Sequence, residues 1–332
     1  MISPDKNPEF LNDFLAYSST ILNKSENTIK EYNYDIAYFL KFIRTKFENI
    51  EINSEQDIKS IEINNITLDV IKKISLQDIH SFLAYLKNNY RSKPTTLARK
   101  TASIRVFFNY LCNKTKKIAV NPAQDLESPK LGKRLPKYLN LDESKKLLET
   151  ASEKEGHGNH DNTIRNVAII TVLLNCGIRL SELININISD IDFSENKLNV
   201  IGKGNKERTI YLNNACVRAV KKYLEIRPKE GVKFNSRDAL FLSEQKRRIS
   251  NRTVQYIVKQ ELKIAGIEKS DKYSVHKLRH TAATLMYKYG NVDIRALQEL
   301  LGHESISTTE IYTHVDNEQI RSAVENNPLA DL

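Results

Sequence analysis

Apolar residues recur every three or four positions through most of the chain, and the first long run follows Ser25. Ile29, Tyr32, Ile36, Phe39, Leu40 and Ile43 fall on one face of a helix for which Ser25 is a suitable cap. Ser75 with Asp78 three residues later has the form of a capping box, and it opens a second helix with Ile79, Phe82, Leu83 and Leu86 inward. Pro94 suits a first helical turn and starts a third helix that runs to about Cys112. Leu97, Ile104, Phe107, Phe108 and Leu111 face inward there, and Arg99, Lys100 and Arg105 occupy the other face. Between the first two helices, about residues 47–74 are rich in Glu, Asp, Asn and Ile, and acidic where their neighbours are basic. This stretch reads as an inserted loop with a short helix.

Residues 121–137, NPAQDLESPKLGKRLPK, have neither a helical nor an alternating pattern and hold three prolines and a glycine, so they read as a linker. The expected division is residues 1–120, this linker, and residues 138–332. Beyond it, helices are predicted at about 142–152, 162–176 and 179–185, the second containing the longest apolar run, Val167 to Leu174. Ile191–Phe193, Lys197–Ile201 and Glu207–Leu212 have strand composition and are separated by turn residues, which predicts a small antiparallel sheet. Helical patterning resumes at about 213–226, 250–265, 276–289, 293–301, 305–313 and 316–326. The fold class is therefore mainly α, with a helical N-terminal domain and a mostly α second domain carrying one minor sheet.

Composition narrows the functional classes. A chain of 332 residues that is 40% hydrophobic and 28% charged is a globular protein of about two domains, and no run approaches the roughly 20 apolar residues of a membrane span. The start, MISPDKNPEF, lacks the basic and apolar parts of an export leader, and Cys112, Cys176 and Cys216 show no metal-ligand spacing. A cytoplasmic location without membrane attachment is expected. The net charge of +10 favours an anionic partner. No acidic residue lies between Asp78 and Asp125, while Lys87, Arg91, Lys93, Arg99, Lys100, Arg105, Lys114, Lys116 and Lys117 do. Such a block within apolar-patterned helix points to a nucleic-acid surface more than to a tail.

The chemistry-bearing residues cluster toward the C-terminal end. His276 and Arg279 in HKLRH stand one helical turn apart and so can face one point. His276 and His280 have a zinc-like spacing, but Lys277 occupies the position where a metalloprotease helix carries glutamate, so no metal site is assigned. Arg179 in GIRLSEL has Glu182 three residues on, a carboxylate placed to hold its guanidinium. Lys203 lies between glycines in IGKGNKER, where the missing side chains permit close approach to a ligand. Tyr312 follows His303 by nine residues, with Thr308, Thr309 and Glu310 just before it. Tyr32, Tyr34, Tyr38 and Tyr110 fit helix packing instead.

Taken in order, Arg179 in GIRLSEL, Lys203 in IGKGNKER, His276 and Arg279 in HKLRHT, His303 in LLGHESISTT and Tyr312 in TEIYTHV resemble the tyrosine recombinase (phage integrase) family, most closely its Xer-type members. The likeness is strongest over about residues 134–325 and weaker over 5–120, where it implies a SAM-like core-binding domain. The acidic stretch at 47–74 departs from a minimal Xer chain, and the larger integrase plan with an arm-binding domain is not expected.

The resemblance implies a strand transferase that uses neither metal nor ATP nor another cofactor. Tyr312 would be the nucleophile, Lys203 the general acid, and Arg179 and Arg279 the donors to the phosphoryl oxygens. His276 would help take the tyrosine proton, His303 would bond the scissile phosphate, and Glu182 would position Arg179. The partners implied are a double-stranded DNA recombination site and a homo- or hetero-tetramer with a second recombinase. Lys130, Lys133, Arg134 and Lys137 would lie near phosphates, with the two domains closing around the duplex. Arg99, Lys100 and Arg105 in the first domain, and Asn251 and Arg252 in the second, are the further DNA-contact candidates. The alternatives are a mobile-element integrase, a type IB topoisomerase, a metal-dependent nuclease and a DNA-binding protein without catalysis. Ile320, Val324 and Leu329 form an apolar stripe after Tyr312 that suits docking on a neighbouring subunit, which favours the recombinase.

Overall fold

The Ser25 side chain accepts a hydrogen bond from the Thr28 backbone N–H, and the helix it caps, α2, runs Glu26–Phe47. The computed structural model describes residues 6–51, 55–130, 132, 137–153, 160–202, 207–268, 270–290 and 292–302. The predicted helices at 305–313 and 316–326 lie outside them, as does the Ile320, Val324 and Leu329 stripe. The chain divides into two units, Met1–Lys133 and Arg134–Leu332.

The first unit is helical throughout its described secondary structure. Around α2 are α1 (Glu9–Thr20), α3 (Glu55–Ser60), α4 (Leu68–Lys72), α5 (Leu76–Tyr90) and α6 (Pro94–Asn109), the last continuing as a π-helical turn, Tyr110–Lys114. Ser75 and Asp78 form the capping box at the start of α5. The core is aromatic: Phe14, Phe39, Phe82, Phe107 and Phe108 are fully buried, with Phe39 edge-on to Phe82 at 5.2 Å and Phe14 edge-on to Phe107 at 5.4 Å. Each such side chain contributes roughly 1.5–3 kcal/mol by leaving water. Sequence patterning did not isolate α1, because Pro8 at its N-cap makes no side-chain cap bond and so leaves no capping signature.

The acidic stretch is not a loop with one short helix. It carries both α3 and α4, and Ile58, Ile63, Ile66, Ile71 and Ile74 are buried in the same core as the phenylalanines. Helices of six and five residues are too short to display a 3.6-residue period, so the isoleucines looked unpatterned. The start of the expected linker also belongs to this unit: Ala123 and Leu126 join its core, and Arg105 donates to the Leu126 carbonyl.

The second unit is built around α8 (His160–Cys176), packed by α7 (Leu141–Ser152), α10 (Asn214–Ile226) and α12 (Val275–Tyr289). Residues 168–174 of α8 are buried without a break, as an apolar run on a central helix requires. After α8 come α9 (Leu180–Asn185) and the strands β1 (Ile191–Asp192), β2 (Lys197–Ile201) and β3 (Glu207–Tyr211), an antiparallel sheet in the order β1-β2-β3. Leu198 pairs with Ile210 and Val200 with Arg208, and the Leu198, Val200 and Ile210 side chains enter the core. Then follow α11 (Asn251–Ile264) and α13 (Ile294–Leu301). Among the described residues no helix is long and apolar enough to cross a membrane. Cys176 and Cys216, far apart in sequence, meet as free thiols with their sulfurs 3.7 Å apart.

Candidate active site

Helix α8 ends at Cys176, and Gly177 turns the chain with φ +56°, a left-handed stop that glycine adopts at little cost. Two residues later Arg179 sits at the N-cap of α9 and Glu182 at its third position. Glu182 is 4% exposed and accepts three bonds: from the Arg179 backbone N–H at 2.8 Å, from Arg179 Nη1 at 2.8 Å, and from Arg208 Nη2 at 2.7 Å. Burial alone would raise the Glu182 pKa. The Arg179 N–H and the two guanidiniums outweigh it and hold the carboxyl below its ordinary range, so Glu182 is an anion between two cations.

Arg279, one turn beyond His276 on α12, is 3% exposed. Its Nη1 donates to the Gly177 carbonyl at 2.6 Å and its Nη2 to the Leu301 carbonyl at 2.6 Å. Arg179 Nη2 donates to the Gly302 carbonyl at 2.6 Å, and Arg208 Nη1 to the Leu300 carbonyl. Three guanidiniums therefore hold three consecutive carbonyls at the end of α13. The last carbonyls of a helix lack intrahelical partners and carry the negative end of its dipole, so this is where cations bind well. Gly302 closes the helix at φ +64°, and the residue after it is His303.

His276 lies in the field of both arginines. Partial burial, then Arg279, then Arg179, push its pKa below the ordinary 6.5, so its ring is neutral near pH 7 and able to accept a proton. Its ring meets that of His280 edge-on at 4.5 Å. Among the described residues no group of His, Cys, Asp and Glu side chains is arranged to hold a metal ion.

The structure thus brings Arg179, Glu182, His276 and Arg279 into one neighbourhood. Lys203, His303 and Tyr312 lie outside the described residues, as do Lys133 and Arg134. Arg208 escaped the sequence reading. Its signal was the alternation in ERTIYL: Arg208 shares a strand face with Ile210 and Leu212, so a charge stands where an inward residue belongs.

The DNA-contact candidates divide. Asn251 and Arg252 are exposed in the first turn of α11, and Arg105 is exposed. Lys100 is not on an outer face: it is 5% exposed, its Nζ donates to Asp35 at 2.8 Å and it lies 4.9 Å from the centre of the Tyr34 ring. Asp35 is fully buried, and a buried carboxylate needs counter-charges, so α6 turns Lys100 inward and draws Arg99 into the same pairing at 2.6 Å. Lys100 is withdrawn as a DNA contact. Arg99 stays 40% exposed but is shared between Asp35 and Glu31, and Lys117 pairs with Asp13. The one-sign block is therefore partly neutralised from α1 and α2, while Lys87, Arg91, Lys93, Lys114 and Lys116 remain exposed.

Residues 137–319 match the phage integrase family and residues 10–118 match the SAM-like N-terminal domain of phage integrases. The chain is 52% identical over 327 residues to the tyrosine recombinase XerC of Caldanaerobacter subterraneus subsp. tengcongensis, covering 98% of this chain and 88% of the relative. It is 34% identical over 322 residues to the tyrosine recombinase XerC of Leptospira interrogans, covering 96% and 94%. Its fold is similar to the crystal structure of the XerH site-specific recombinase bound to palindromic difH substrate in a post-cleavage complex, with TM-score 0.69, 22% identity and 98% of each chain covered.

Proposed function

This chain belongs to the phage integrase family as an Xer-type tyrosine recombinase, a DNA strand-transferring enzyme of site-specific recombination, and from that premise we propose the roles of its residues. The Tyr312 phenol attacks a scissile phosphate, forming a 3′-phosphotyrosyl bond as the bond to the 5′ oxygen breaks. Lys203 protonates that leaving oxygen. Arg179 and Arg279 donate to the non-bridging oxygens as charge develops on them, a task that planar guanidinium forks perform without a metal ion. His276, neutral near pH 7, accepts the tyrosine proton, and His303 bonds the phosphate. The energy of the broken ester is kept in the phosphotyrosine, so the reverse attack by a 5′ hydroxyl needs no ATP.

The observation that carries this reading is the convergence of Arg179 and Arg279 on the end of α13, beside the residue that precedes His303. In the assembled reaction four protomers, of this chain alone or with a second recombinase, exchange two pairs of strands through a Holliday junction. Chromosome dimer resolution in the cytoplasm is the role proposed. The first unit, its core extending to Leu126, would grip the duplex and residues 138–332 would cut it, with the stretch between them as the connection. Arg99, Arg105, Lys133, Arg134, Asn251 and Arg252 are its proposed contacts with DNA.

The test is covalent capture. A duplex selected from a randomised pool by binding to the Tyr312→Phe protein is nicked beside the cleavage point and mixed with the wild-type chain in chelator without nucleotide. A protein–DNA adduct through Tyr312 is expected. A requirement for metal or ATP, or an adduct through another residue, contradicts the mechanism.

A further inference from the structure

Arg208 stands on the inward face of β3, and its side chain is 14% exposed. It is the first inward-facing described residue after the segment that carries Lys203. A guanidinium in such a place is costly unless paired, and an apolar residue would pack there without that cost. What the arginine does instead is reach two other elements at once. Nη2 donates to Glu182 Oε2 on α9 at 2.7 Å, and Nη1 donates to the Leu300 carbonyl at the end of α13.

Two further observations indicate that geometry, not packing, keeps it there. Its Nε is buried with no hydrogen-bond partner among the described residues, so the pairing seen there is carried by the two Nη groups, which span α9 and α13. Gly302 makes room for it: a Cβ at that position would lie 3.1 Å from Arg208 Cδ and 3.2 Å from Nε, and 3.6 Å from Arg179 Nη1. Arg208 thus crosses directly over the turn that leads into His303.

We propose that Arg208 is a positioning residue for strand cleavage, tying the Glu182 carboxylate to the C-terminal end of α13 so that Arg179 and the chain entering His303 keep one fixed spacing. Glu182 Oε2 serves the Arg179 backbone and Arg208 together, so losing Arg208 frees the carboxylate to turn and takes Arg179 Nη1 with it. The same loss releases the Leu300 carbonyl. Arg208 itself would touch neither DNA nor the reacting atoms. The inference rests on the recombinase reading, and its test separates the two.

Single-turnover cleavage of the nicked duplex is measured at saturating DNA for wild type, Tyr312→Phe, Arg208→Met, Arg208→Lys and Arg208→Ala, alongside DNA affinity and thermal unfolding. Methionine fills the strand face without charge, so Arg208→Met should fold and bind DNA within about threefold of wild type. Its cleavage rate should fall about 10- to 100-fold, as for loss of a charge-assisted bond. Arg208→Lys should stay slow, because one ammonium cannot span Glu182 and Leu300. Guanidinium ion below denaturing concentration should partly restore Arg208→Ala, and methylammonium should not. Arg208→Met cleaving within threefold of wild type overturns the inference, and so does a loss of DNA affinity and folding with no guanidinium rescue. If wild type itself forms no adduct through Tyr312, the recombinase reading fails and the Arg208 role falls with it.

Discussion

Arg279 donates to the carbonyl oxygen of Gly177 at 2.6 Å, so one candidate arginine grips the chain two residues before the other, Arg179. Through Leu301 and Gly302 both also hold the end of α13. The two guanidiniums are therefore set by shared backbone anchors, a form of preorganisation that spares the reaction any search for their relative position.

This linkage makes the guanidinium shape matter. In Arg179→Lys or Arg279→Lys a single ammonium cannot keep two anchors and still face a phosphate. Cleavage by either variant should drop on the order of 100- to 1000-fold, as when one donor to a developing charge is removed. Single-turnover rates on the nicked duplex check this, and near-normal cleavage by both would remove the arginines from the proposed roles.

Gly302 is constrained twice, by φ +64° and by Arg208 lying over it. Gly302→Ala should destabilise the second unit by about 1–2 kcal/mol from the left-handed backbone alone. Gly302→Asn, whose side chain tolerates that region better, should lose less stability while still crowding Arg208. Urea unfolding of the two variants measures the difference, and equal midpoints to wild type would show that the turn is not strained by a Cβ.

His280 has a pKa pushed down to about 4, by burial first and then by His276, Arg279 and Lys277. Its folded pKa lies below the unfolded one, so the unfolded chain binds more protons between them and stability must fall as the pH drops from about 6.5 toward 4. His276, also lowered, adds to the same slope. Unfolding free energy measured across that window should decline on acidification, and His280→Gln should flatten the decline. An unchanged slope in the variant would place the acid sensitivity elsewhere.

Beyond Tyr312 the chain carries an apolar stripe of Ile320, Val324 and Leu329. If Ile320, Val324 and Leu329 dock on a neighbouring protomer, deleting residues 316–332 should leave binding of one protomer to DNA intact and abolish cooperative pairing of sites. Gel-shift titration separates the two species. Full cooperativity in the truncated chain would assign the stripe to its own domain.

By itself the sequence determined the elements with strong local signals. The helix after Ser25, the capping box of Ser75 and Asp78, the apolar run of α8 and the strand pairs around IGKGNKER are written in periodicity and capping, which act within a few residues. Glu182 as the partner of Arg179 was legible for the same reason, being one helical turn away. What only the tertiary structure decided were relations between distant segments. The short helices α3 and α4 take their place from buried isoleucines, not from period. Lys100 turns inward because Asp35, on another helix, is buried and must be neutralised. Arg208, Gly177 and the carbonyls of Leu300, Leu301 and Gly302 acquire their roles only once β3, α8, α12 and α13 meet. A buried charge or an unpaired helix-end carbonyl takes whichever partner the packing brings within bonding distance, and chain spacing carries no record of that choice.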